Sequence, residues 1–226
     1  MSLYLRQIRV IIWKDLLLEV RTRERLVAMG AFAVLAGLLF DYTLDTTRVR
    51  PGDVAAGLIW MTLVFGGLLG IGRTFHLEKQ DGAFQGVLMS PAPKDAVFLG
   101  KTLANFLLLY AIALLVLGVF TFLFALEIGA TVWALLAALA LGALGFVALG
   151  TLFAAVSSGT RMGETLLPIL VFPLLLPMVI WGGVATGRLL DGRPVAEVAG
   201  SLRLLGAFAL VAIAAGAVLF RFVVED

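Results

Sequence analysis

The sequence predicts an all-α integral membrane protein: six transmembrane helices, an N-terminal amphipathic interfacial helix, and a short cytoplasmic helix between spans two and three. Three observations predict it. Of the 226 residues 62% are hydrophobic and 14% are charged, against about 25% charged in soluble domains, and the mean hydropathy is +1.07. The apolar residues collect in runs near 20, the number a helix needs to cross a hydrocarbon core of about 30 Å. Lysine and arginine crowd particular flanks of those runs, which sets an orientation.

Residues 3–25 mix apolar and charged positions at helical spacing. Leu5, Ile8, Ile12 and Leu16 follow one line that ends on Glu19, while Arg6, Arg9, Lys14, Arg21, Arg23 and Arg25 supply cations. That pattern fits a helix lying at the interface with long basic side chains reaching headgroups; the alternative is a helix packed on other protein. The stretch is too charged for the apolar region of a signal peptide, so the amino terminus is expected to be retained.

Six apolar runs follow within a single domain, 1–226: 26–44, 54–72, 102–126, 130–156, 165–187 and 202–220. Pro51-Gly52-Asp53 separates the first two. Glu127-Ile128-Gly129 makes a tight turn, so spans three and four should form an antiparallel hairpin. Ser157-Ser158-Gly159-Thr160-Arg161 divides the fourth from the fifth. Pro168, Pro173 and Pro177 in the fifth predict a bent or locally unwound helix, which reads equally as a moving gate or as a kinked span. Beyond it, Pro194 to Val198 suffices for a short surface helix.

With the amino terminus inside, the inner segments hold twelve Lys and Arg: six in 1–25, four in 73–101, and one each in 157–164 and 221–226. The outer segments hold five, two in 41–53 and three in 188–203. That asymmetry puts both termini in the cytoplasm, and with them the long polar stretch Arg73–Lys101. Inside that stretch Phe84, Val87 and Leu88 share one helical face. Asp81-Gly82 can start such a helix, and Ser90-Pro91-Ala92-Pro93 must end it. An exposed apolar face at this place suits docking of a soluble partner; the plainer reading is a loop lying on the headgroups.

Small residues recur in the spans: Gly66 and Gly70, Ala138 and Gly142, Gly145, Gly150, Ala212 and Gly216. Packing inside a six-helix bundle is the reading preferred over a homodimer seam. Gly100-Lys101-Thr102 invites a phosphate-loop reading, but Asp95 stands where the loop needs its first glycine, and the segment opens a span instead of following a strand. The chain thus has no recognisable nucleotide site of its own. The one histidine, His76, has no Cys or His partner nearby and reads as structural. Met61, Met89, Met162 and Met178 read as packing. Glu164 sits at the membrane edge beside Arg161, where a local ion pair is the simplest account. Asn105 is the clearest polar side chain within a span and is expected to bond across helices. There is no cysteine, so disulfide and thiolate-metal chemistry are excluded. A net charge of +2 gives no basic field for nucleic acid. No catalytic or metal-ligating constellation is evident.

An amphipathic N-terminal helix, six spans and a docking helix between spans two and three resemble the ABC-2 class of exporter permeases. Gly57-Leu58-Ile59-Trp60, Arg73-Thr74-Phe75, Asp81-Gly82, Ser90-Pro91-Ala92-Pro93 and Lys101 look like the signature stretch of the CcmB family of cytochrome c maturation permeases. Arg161-Met162-Gly163, then Leu166 to Leu174 and Pro177, make a second match. Gly86 departs from the pattern, where a larger residue is expected, as does Gln80. The resemblance implies a bacterial inner-membrane subunit that is not itself an enzyme. A separate CcmA-like ATPase, which carries the ATP, would dock on a coupling helix made of Asp81, Gly82, Phe84, Val87, Leu88, Pro91 and Pro93, two copies to two permeases. It also implies CcmC-like and CcmD-like membrane proteins and release of a haem-loaded CcmE-like chaperone, with haem handled by the complex. An exporter of lipid, polysaccharide or drug, and a membrane scaffold that moves nothing, stand as the other readings.

Overall fold

The computed structural model describes residues 2–45, 51–72, 86, 92–158 and 163–225. These form seven helices: α1 (Ser2–Thr22), α2 (Glu24–Thr43), α3 (Pro51–Gly72), α4 (Lys94–Leu123), α5 (Val132–Ser158), α6 (Gly163–Leu190) and α7 (Val195–Glu225). No strand occurs among the described residues. Helices α2 to α7 are long and apolar enough to cross a membrane, so the chain is a multi-pass membrane protein.

Pairs of residues fix the up-and-down arrangement. At the end of the bundle where α1 lies, Ile71 near the end of α3 abuts Gly150 in α5, and Phe98 at the start of α4 abuts Gly216 near the end of α7. At the far end Val119 of α4 abuts Gly37 of α2, and the Thr131 hydroxyl donates to the Leu189 carbonyl at 3.2 Å. Helix α5 is the hub, packed on α3, α4, α6 and α7, and Leu135, Leu139, Phe146 and Val147 on it are buried.

The small residues serve these contacts. A Cβ on Gly70 would stand 2.4 Å from Met29 Sδ, and one on Gly66 3.7 Å from Phe32 Cδ1, so this pair is the surface on which α2 crosses α3. Gly145 does the same for Phe208 of α7. Packing within the bundle therefore accounts for these positions.

Helix bounds differ from the hydropathy reading in instructive ways. Helix α4 begins at Lys94, not at 102; its 30 residues extend about 45 Å, about ten residues more than a hydrocarbon core of about 30 Å requires. Hydropathy reads Lys94, Asp95 and Lys101 as a charged loop, but Asp95 and Lys101 are paired with Tyr4 and Asp15 of α1. Helix α7 likewise begins at Val195, so the expected separate surface helix is its first turn. Helix α6 runs without a break through Pro168, Pro173 and Pro177, so of the bend or local unwinding expected there, the unwinding does not occur. In a bundle, neighbouring helices and small local adjustments can re-satisfy the carbonyls that a proline frees. Leu167, Val171, Leu175 and Met178 form the buried stripe of this helix, and Pro173 lies on its exposed side.

Candidate functional site

The residues expected to dock an ATPase, Asp81, Gly82, Phe84, Val87, Leu88 and Pro91, lie outside the described residues, as does His76. Pro93 is described: it immediately precedes α4 with φ −56° and ψ 140°, and its carbonyl accepts the Val97 amide at 3.2 Å. Having no N–H and a φ already suited to a helix, it starts α4 without losing a bond. What the structure does show is the seating of the helix into which that segment leads.

The seat is α1. Its buried line comprises Ile8, Asp15 and Glu19, with Tyr4, Ile11, Ile12 and Leu16 half-buried beside them. Leu5, expected on that line, is 53% exposed: the line turns slightly around the helix to meet α4. Gly100 receives Ile11, whose Cβ would lie 2.8 Å from any Cβ added there. The Tyr4 hydroxyl donates to Asp95 Oδ2 at 2.7 Å. Burial first, and that bond second, push the Tyr4 phenol up to about 12, so it stays protonated and keeps donating at any physiological pH.

Deeper along α1, Lys101 Nζ stands 3.5 Å from Asp15 Oδ2, with the lysine side chain 1% exposed and the carboxylate 9%. Lys14 approaches the other oxygen of Asp15 at 3.1 Å from the exposed side. The Gly-Lys-Thr tripeptide is thereby explained. Its glycine makes room for α1 and its lysine faces a carboxylate of α1, with no phosphate involved.

A second chain of polar contacts runs across four helices. The α1–α2 link is Arg23, in the left-handed region at φ 55°, which folds the chain back so that Glu19 reaches the first turn of α2. One Glu19 oxygen accepts the Leu26 amide at 2.9 Å, satisfying a donor that the start of a helix leaves open and placing negative charge where the helix dipole favours it. Its other oxygen pairs with Arg25 Nε. Arg25 Nη1 donates to Asn105 Oδ1 at 3.1 Å, and Asn105 Nδ2 donates to Thr151 Oγ1 at 3.1 Å. Asn105 thus bonds across helices as its sequence position suggested. Glu19, Asn105 and Thr151 are all buried. Next to Arg25 and Asn105 lies a cavity of about 10 Å³, lined also by Met29, Gly67 and Gly70, near the lower limit for one water.

Sequence reasoning missed Asp15 and Thr151 as partners and treated Lys101 as a flank. The available signal was the pair of carboxylates at 15 and 19, one turn apart on the buried line of an otherwise apolar and basic helix. Among the described residues no group of three or more His, Asp or Glu could hold a metal ion.

Elsewhere the core is fitted by shape. The Trp60 ring of α3 lies between α5 and α6 where both carry glycine: a Cβ on Gly142 would fall 2.1 Å from Trp60 Cη2, and one on Gly182 2.3 Å from Cζ2. The indole N–H donates to the Thr186 hydroxyl at 2.9 Å, so the one polar atom of the buried ring is satisfied.

The family model described as CcmB protein matches residues 6–224. Heme exporter protein B of Rhodobacter capsulatus is 32% identical over 202 residues, covering 85% of this chain and 89% of that protein. Its namesakes from Paracoccus denitrificans and Escherichia coli K12 are each 30% identical. The first covers 80% of this chain and 82% of its own length; the second covers 86% and 89%. The chain belongs to the CcmB protein family.

Proposed function

We propose that this chain is the membrane permease subunit of an ABC transporter complex serving cytochrome c maturation. It couples ATP hydrolysis in a separate subunit to haem export or to release of a haem-loaded chaperone. The observation that carries the reading is the family match over residues 6–224, supported by relatives named heme exporter protein B that align over 89% of their own length. The chain itself catalyses nothing in this reading: it supplies the spans, and a CcmA-like ATPase supplies the hydrolysis. Both termini and the 73–93 segment face the cytoplasm, as the charge asymmetry favours. The ATPase docks on Asp81, Gly82, Phe84, Val87, Leu88, Pro91 and Pro93. Two permease copies meet two ATPases, with CcmC-like and CcmD-like proteins beside them and a CcmE-like chaperone on the outer face. The three prolines of α6 are the place for a gate in this mechanism.

The test is a mild-detergent pull-down of the tagged protein from its native membrane, with partners identified by mass spectrometry. A P-loop ATPase recovered together with haem-handling membrane proteins is the expected result. An ATPase without them indicates an exporter of another substrate, and recovery of neither from folded protein indicates a scaffold. Phe84→Asp, which puts a charge on the apolar docking face, should abolish ATPase recovery while leaving membrane insertion intact. Normal recovery with that variant would remove the docking assignment.

A further inference from the structure

The Asp15–Lys101 pair needs a reason. A charge pair taken out of water repays its desolvation poorly, and apolar residues of the same shape commonly hold a fold as well or better. The best-attested use of such a pair is to fix one arrangement of two elements against others. Here the two elements are α1 and the first turns of α4, which directly follow Pro93. Three contacts at successive levels hold them: Tyr4 with Asp95, Ile11 in the notch of Gly100, and Asp15 with Lys101. From the far end of α1, Glu19 holds the start of α2 through Arg25 and the Leu26 amide. Arg25 in turn reaches Asn105 and, through it, Thr151 of α5.

We propose that Asp15 and Lys101 lock α1 to the start of α4 as one rigid lever, so that displacement of the first turns of α4 is delivered through Glu19, Arg25 and Asn105 to α2 and α5. These are positioning residues, which touch neither ATP nor the exported species. The proposal rests on the permease reading for its purpose, but the lever itself is a mechanical statement that can be tested apart from it.

The chain has no native cysteine, so the double variant Ile11→Cys/Gly100→Cys offers a unique pair, whose Cβ positions, 2.8 Å apart on this backbone, must separate by about 1 Å to reach disulfide spacing. Its oxidative cross-linking in native membranes should be efficient, and equally so with and without ATP. Asp15→Asn added to it should lower the yield, because the lock is gone. Yield that falls on ATP addition, or that ignores Asp15→Asn, overturns the lever whether or not an ATPase partner exists. In the purified complex Asp15→Asn alone should keep ATP hydrolysis within about twofold of wild type while lowering ATP-driven chaperone release about tenfold, the size of an ordinary coupling loss. Forming the 11–100 disulfide in that variant should restore release, and reduction should abolish it again. A merely structural role predicts instead that hydrolysis and release fall together with the amount of folded complex, and that the disulfide restores neither; that result overturns the proposal. Failure of the pull-down described above would remove the permease reading and leave the cross-linking result standing.

Discussion

Two regions of the bundle are held by opposite means. Around Trp60 the three helices α3, α5 and α6 meet by shape, with one ring filling the space that two glycines leave and one hydrogen bond at its edge. Around Lys101 the four helices α1, α2, α4 and α5 meet through charges and amides, with direct polar contacts at each step. A fit by shape has one solution and resists displacement, since packed interiors are not continuously deformable. Buried polar contacts hold by the identity of the partner instead, because removing one group leaves the other unsatisfied. The first region is thus held by volume and the second by a relay of specific partners.

Substitutions should separate the two regimes. The largest effect is expected for Gly142→Leu, which needs the space of the Trp60 ring; overpacking of this kind costs about 3 kcal/mol or more, read as a large fall in melting temperature in detergent. Trp60→Leu combined with it should recover part of that loss, and a double-mutant cycle showing no coupling would refute the interlock. Next comes Asn105→Leu, which removes the middle of the chain from Arg25 to Thr151. A cost of about 1–3 kcal/mol is expected, since a buried polar group loses its partner, with no change in membrane insertion. Arg23→Gly should go the other way and raise stability by about 1 kcal/mol, because glycine occupies the left-handed region without the strain of a Cβ; a lower melting temperature would show that the Arg23 side chain matters more than its backbone. The smallest effect belongs to Tyr4→Phe. Because the phenol is pushed up to about 12 from an ordinary value near 10, its contribution is complete below about pH 10 and is lost as pH rises toward 12. The variant should therefore differ slightly from wild type at neutral pH and not at all once wild-type Tyr4 has ionised, as followed by the ultraviolet absorbance of tyrosinate together with melting temperature.

The six spans were legible because each is an apolar run of membrane length, and Asn105 was legible as a bond between helices because an amide in hydrocarbon demands a partner. The starts of α4 and α7 were not. Hydropathy treats Lys94, Asp95, Lys101, Glu197 and Arg203 as breaks. In the fold Asp95 and Lys101 are answered by α1, and Glu197 by Arg193 and, through its carbonyl, Arg188. Leu5 failed for a related reason: a helical stripe gives a direction, while the partner decides which edge of the stripe is covered. The Trp60 seat was beyond reach because a glycine in a span announces a close approach without naming the side chain that fills it. The docking residues expected in 81–91 remain a sequence-based proposal, joined to the structure at Pro93.

The seating of α1 also constrains how the chain is made. Tyr4 and its partner Asp95 are 91 positions apart, and Arg25 and Asn105 are 80 apart. At 5–20 residues per second of synthesis, α1 waits on the order of ten seconds for the surface it will rest on, while α2 and α3 are already being inserted. During that interval its basic side chains and its exposed Leu3, Val10, Trp13 and Leu17 can hold it at the headgroups. The face that stays outward in the finished protein thus has an earlier employment, parking a helix whose berth has not yet been translated.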